Sequence, residues 1–155
     1  GSFDELRQAV SLCHRRGVAV HVTCNTMPRN DEMDRLPGWL EYLEERGLES
    51  IRRHEQALCE QFLSGLRAIP GIEIYGAGDA RRQTAVVSFN LRGMDCAQAA
   101  FRLDREYGIC MRAGLHCAPL AHESAGTLSS GTVRASFSVF NTAREVRELV
   151  RVLSC

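Results

Sequence analysis

Lysine is missing from this chain of 155 residues: all 19 of its Lys and Arg side chains are arginine. Carbonyl chemistry through a side-chain imine is therefore excluded for these residues acting alone. Neither sign of charge is in excess, because 19 acidic groups balance the 19 arginines. That balance gives no pull toward nucleic acid or an anionic membrane surface, and neither is an expected partner. Long apolar runs are also absent, since none approaches the roughly 20 residues that a membrane span needs. CxxC pairs are lacking among the seven cysteines, and no signal-peptide pattern precedes them. An odd number of unpaired thiols points to a reducing, cytoplasmic setting and not to a disulfide framework. The chain opens on Gly1-Ser2 instead of methionine, which suits a processed polypeptide or a piece of a longer one.

What is present is an ordinary globular composition, 45% hydrophobic and 25% charged, enough for one core. Ser2 and Glu5 form a capping-box pattern before a helix that Gly17 ends, and residues 18–23 alternate as a strand. A polar loop follows over residues 25–34, then a short helix with Pro37 in its first turn and Gly47 at its end. From Leu48 the positions Ile51, Leu58, Phe62, Leu66 and Ile69 keep a helical period up to Pro70-Gly71. Strands are expected at residues 72–75 and 84–91, the second with Val87, Phe89 and Leu91 on one face. Asp95 caps a helix with Cys96, Ala100, Leu103 and Tyr107 inward and Gly108 as its stop. Residues 109–112 and 132–139 read as strands around a loop at 113–130, and Thr142 with Glu145 caps a last helix carrying Val146, Leu149, Val150 and Leu153. The order from Leu48 onward, α-β-β-α-β-β-α, predicts an α/β (α+β) two-layer sandwich: a small mixed or antiparallel sheet with helices on one face.

Chemistry concentrates between Gly108 and Asn141. A loop of this length inside a compact domain tends to be functional. Cys117 lies near its start, beside His116 and between Arg112 and Arg134. A cysteine acts as a nucleophile when it is a thiolate, which neighbouring positive charge, a histidine or a helix N-terminus favours, and Pro119 is placed to open a helical turn beside it. The plain alternative is a small buried hydrophobe. Arg134 in mid-strand suits a bidentate clamp on a carboxylate, although alternation also sets it opposite Val133, Ala135 and Phe137, on a half-solvated face. His116, Cys117 and His122 as zinc ligands form a third reading that lacks a second cysteine pair.

The run RAGLHCAPLAHESAGTLSSGTVRASFSVFNT, together with VVSFNL and the helix beginning GLESIRRHEQAL, resembles the C-terminal domain of the cysteine desulfurase and selenocysteine lyase family, within the class V aminotransferase group of pyridoxal-phosphate enzymes. The resemblance implies that Cys117 is the nucleophile that becomes a persulfide. It implies that Arg134 grips the substrate carboxylate, that Arg112 and His116 line the substrate side, and that Asn141 is structural. It also implies a cysteine-type substrate and a sulfur acceptor protein, and leaves a homodimer open. Pyridoxal phosphate belongs to the parent family; with no lysine here, none is expected on this chain alone, nor is turnover. The preceding segment, whose most specific part is VTCNTMPRNDE, is similar to a helix-strand-helix piece of the TIM barrel of collagenase-like peptidases. The expected organisation is thus residues 1–46 from one source and 47–155 from another, with the first segment covering apolar surface on the second. A non-catalytic recombined scaffold with a relic loop is the alternative function.

Overall fold

The computed structural model describes Glu45 and residues 47–154. The expected first helix, the strand at 18–23 and the loop after it lie outside the described residues. The chain divides into two compact units, Gly1–Ser50 and Ile51–Cys155, and the elements numbered here belong to the described residues. They run α1 (Leu48–Arg67), β1 (Ile72–Tyr75), β2 (Val86–Leu91), α2 (Cys96–Tyr107), β3 (Arg112–Gly114), α3 (Pro119–Ser124), β4 (Thr132–Ser136) and α4 (Ala143–Leu153).

Local chemistry sets the helix ends. The Asp95 carboxylate accepts from the backbone N–H groups of Ala97 and Gln98 at 2.8 and 3.2 Å, so two otherwise orphaned donors at the start of α2 are satisfied. At the other end Gly108 takes φ 65°, and its N–H reaches the Asp104 carbonyl while Ile109 N–H reaches that of Leu103. Thr142 and Glu145 make a reciprocal capping box at the start of α4.

All strand pairs are antiparallel, in the spatial order β1-β2-β4-β3. Alternation then divides the sheet into two faces. One carries Ile74, Phe89, Val133 and Ala113 in a single cross-strand row. Together with Val87 and Ala135 these strand residues pack with Leu58, Phe62, Leu63 and Leu66 of α1, Ala99 and Leu103 of α2, and Val146, Leu149 and Val152 of α4. Phe62 meets Phe89 and Phe137 edge to face, at 5.7 and 5.3 Å between ring centres. Each fully buried Leu or Phe in such a layer contributes about 1.5–3 kcal/mol. Two layers with the three long helices on one face are as expected, and the sheet is antiparallel.

Several expected details shift. The α2 stripe is Cys96, Ala99 and Leu103, while Tyr107 is exposed; α4 buries Val152 in place of Val150, which is half-buried. The third strand occupies Arg112–Gly114 instead of residues 109–112. Ile109 and Met111 pack against the core without a ladder, because pairing begins only where Arg112 meets Arg134. Strand β4 stops at Ser136, where Ser138 and Asn141 start a turn. The long loop is not structureless: it contains α3, with Pro119 at its first position.

Candidate functional site

The second sheet face carries a polar row. By register Tyr75 lies opposite Ser88, Ser88 opposite Arg134, and Arg134 opposite Arg112. Two guanidiniums thus occupy directly paired positions, an arrangement that repels and is retained only where something else offsets it. Neither forms an ion pair with an acidic side chain among the described residues. The Nε of Arg134 is buried without a hydrogen-bond partner. A buried N–H donor left this way costs about 1–3 kcal/mol, and an anion placed beside it would remove that cost.

Residues 115–131 fold over one end of this face. Thr132, which alternation puts on the polar side, is only 1% exposed, and His116 Nε2 lies 3.1 Å from its carbonyl and 3.3 Å from its hydroxyl. A carbonyl oxygen accepts only, so the ring proton is on Nε2 and Nδ1 holds a lone pair. That Nδ1 is the second buried atom without a partner. Burial first, then the Arg134 guanidinium, with smaller contributions from His122 and Arg112, holds the His116 pKa below the ordinary histidine value. At neutral pH His116 is thus an uncharged ring beside the Arg112 and Arg134 guanidiniums.

Both His116 and Cys117 have left-handed backbones, φ 51° and 59°. Two successive non-glycine residues in this region store strain, and such strain gathers at functional turns. Leu115 and Ala118 close the turn, with the Ala118 N–H donating to the Leu115 carbonyl at 2.8 Å. Cys117 is exposed and unpaired. Of the expected site residues, the fold therefore gathers Arg112, His116 and Arg134 by register, repulsion and contact, with Cys117 on the same turn as His116. Asn141 does hold the corner after β4: its Oδ1 accepts from Ser138 N–H at 2.9 Å, and its carbonyl lies 2.9 Å from His54 Nε2.

Among the described residues no three His, Cys, Asp or Glu side chains gather as metal ligands. His122 is buried at 7% exposure, with Nδ1 at 2.8 Å from the Thr127 hydroxyl. Its ring centre is 5.7 Å from that of His116. Of the other described cysteines, Cys59 and Cys96 are buried, as most free thiols are, but Cys110 is exposed. Its thiol lies 3.5 Å from the Asp104 carboxylate, which pushes its pKa up. Sequence reasoning missed Ser88 and Asn90, although their alternation with Val87, Phe89 and Leu91 in VVSFNL marked them as lining the opposite face.

The chain has relatives among known proteins. The aminotransferase class-V family matches residues 36–149, and peptidase family U32 matches residues 2–63. A probable cysteine desulfurase of Methanothermobacter thermautotrophicus is 36% identical over 115 residues, covering 74% of this chain and 28% of that protein. One from Staphylococcus epidermidis is 39% identical over 114 residues, with 74% and 27% covered. The apo structure of a cysteine desulfurase from Thermococcus onnurineus superposes with a TM-score of 0.72 at 34% identity, over 77% of this chain and 29% of that one. The cysteine desulfurase CsdA of Escherichia coli gives 0.70 at 26% identity, over 82% and 30%. The chain thus spans 27–28% of the length of these curated relatives.

Proposed function

The chain belongs to the class-V aminotransferase family, and from that premise we propose that residues 47–155 are the sulfur-accepting part of a cysteine desulfurase, joined to the unlike segment 1–46. Cys117 is the nucleophile. Arg134 clamps the carboxylate of a cysteine-type substrate, while Arg112 adds a second positive charge at the neighbouring register position. The observation that carries this reading is the buried, unpartnered Nε of Arg134, on the same sheet face that the Cys117 loop covers.

Pyridoxal phosphate goes with the relatives' enzyme class, and the residues present do not fit it. The chain has no lysine, and among the described residues the two buried side-chain atoms without a partner are a guanidinium N–H and an imidazole lone pair. Those groups suit a carboxylate and a proton; neither forms an imine. The chemistry assigned to this chain is transfer of sulfur that is already activated. The Cys117 thiolate attacks the outer sulfur of a persulfide donor. The donor's S–S bond breaks, its electron pair leaves on the donor thiolate, and the outer sulfur stays on Cys117 as a persulfide. A protein thiol then takes that sulfur in the same way, so the partner is a sulfur acceptor protein. A reducing, cytoplasmic setting is part of this proposal.

Mass spectrometry of the peptides after brief exposure to a persulfide donor tests it, with exposed Cys110 as the internal control. Added sulfur on Cys117 well ahead of Cys110, and none at that peptide in Cys117→Ala, is the expected result. Equal labelling of the two thiols would count against it.

A further inference from the structure

The β2–β4 ladder ends at Phe89 and Val133, yet the chain just before β4 is still held, by a side chain. Asn90 Nδ2 donates to the Gly131 carbonyl at 3.0 Å, and its Oδ1 accepts from the Val133 N–H at 3.4 Å. The amide thus does for one more residue what a ladder rung would do. The residue bracketed between those two bonds is Thr132, whose carbonyl fixes the His116 ring.

The same spot is tight from the other side. A Cβ on Gly131 would stand 2.9 Å from Gly114 Cα and 3.1 Å from Cys96 Sγ, so the two ends of the loop touch across backbone alone. Cys96 Sγ donates to the Ser130 carbonyl at 3.0 Å, tying the returning end to the first residue of α2. On the β3 side Thr132 is paired with Gly114, and on the β2 side the tie that straddles it is made by Asn90.

From this we infer that Asn90 is a positioning residue for the Cys117 turn, acting through the Gly131–Val133 backbone and the His116 imidazole. The inference rests on the role proposed for Cys117. Asn90 holds the Thr132 carbonyl in place; the carbonyl holds Nε2–H, leaving the Nδ1 lone pair inward; and the fixed ring sets the strained turn that begins at His116. The charged and titratable groups facing that ring are Arg112 from β3, Arg134 from β4 and His122 from α3. Releasing the ring gives up the Thr132 carbonyl bond, which favours the charged form. It also lets water reach the ring and relieves the repulsion by Arg134, the two larger causes, so the net direction is upward.

Nitrogen-labelled histidine in the whole chain reads this directly, alongside the pH profile of Cys117 alkylation by iodoacetamide. Both substitutions are neutral, so neither adds a charge near the ring. In Asn90→Ala the His116 signal is expected to lose its single Nε2–H tautomer, and its titration midpoint to move up toward the ordinary histidine value. The Cys117 alkylation profile is expected to shift with it, and the Val133 amide to exchange about tenfold faster, the equivalent of one lost hydrogen bond. Should Asn90→Ala fail to fold, Asn90→Ser decides by the same readouts. Folded variants with an unchanged His116 tautomer and midpoint, or with a moved midpoint and an unchanged Cys117 profile, overturn the inference. Neither readout involves sulfur transfer. If both move while Cys117 takes up no sulfur, the positioning role stands and the proposed function falls.

Discussion

His116 and Cys117 keep positive φ angles that each cost about 1–2 kcal/mol for a residue with a side chain, and Arg134, whose charge acts on His116, keeps a desolvated N–H without an acceptor. Side chains chosen for stability alone would not be placed so. Replacing Arg134 by methionine should therefore stabilise the fold by about 1 kcal/mol, read from chemical denaturation, while weakening the site for carboxylates. His116 gives a pH prediction whose sign follows from its suppressed charging. Above about pH 6.5 the ring is neutral in both folded and unfolded chains and contributes no slope. As pH falls below that value the unfolded chain binds the proton and the folded chain does not, so stability drops until the folded midpoint is passed. Denaturation of His116→Gln against wild type should show the loss confined to that acidic window; an equal pH slope in both would contradict it.

The loop joining β3 to β4 owes its shape to close backbone approach at its base, which is why Gly131 stands where it does. Alanine there would meet Gly114 at 2.9 Å and keep φ 62°, so Gly131→Ala should cost about 2–3 kcal/mol and unsettle the Cys117 turn more than the rest of the sheet. Thermal unfolding with hydrogen exchange checks both parts. Sequence alone served well where an element carries its own signals: the Asp95 cap, the Gly108 stop and the Thr142–Glu145 box all stand as read. It served poorly where partners decide. Residues Ala113 and Gly114 have weak strand propensity and become strand only because β4 pairs with them. The Cys117 loop was legible as a candidate site from its residues, but not Thr132, Asn90 or the burial of His122, since these depend on the loop folding back onto the sheet. The alternation that put Arg134 opposite Val133 and Ala135 was correct, and it gave no hint that the outward face would be partly covered.

At the scale of the whole chain, a sheet with helices on one face leaves the other face to carry a row of like charges and a strained thiol turn. The class-V aminotransferase match over residues 36–149 and the peptidase U32 match over residues 2–63 overlap at residues 36–63. Helix α1 begins within that overlap, at Leu48. On this partly covered face the proposed function pairs a nucleophilic Cys117 with a carboxylate clamp at Arg134. Comparing the rates at which Cys117 takes sulfur from cysteine persulfide and from cysteamine persulfide, which lacks the carboxylate, tests both at once. The cysteine donor is expected to react about tenfold faster, the worth of one charge-assisted contact, and to lose that advantage in Arg134→Gln; equal rates with the two donors in the wild-type chain would refute the clamp.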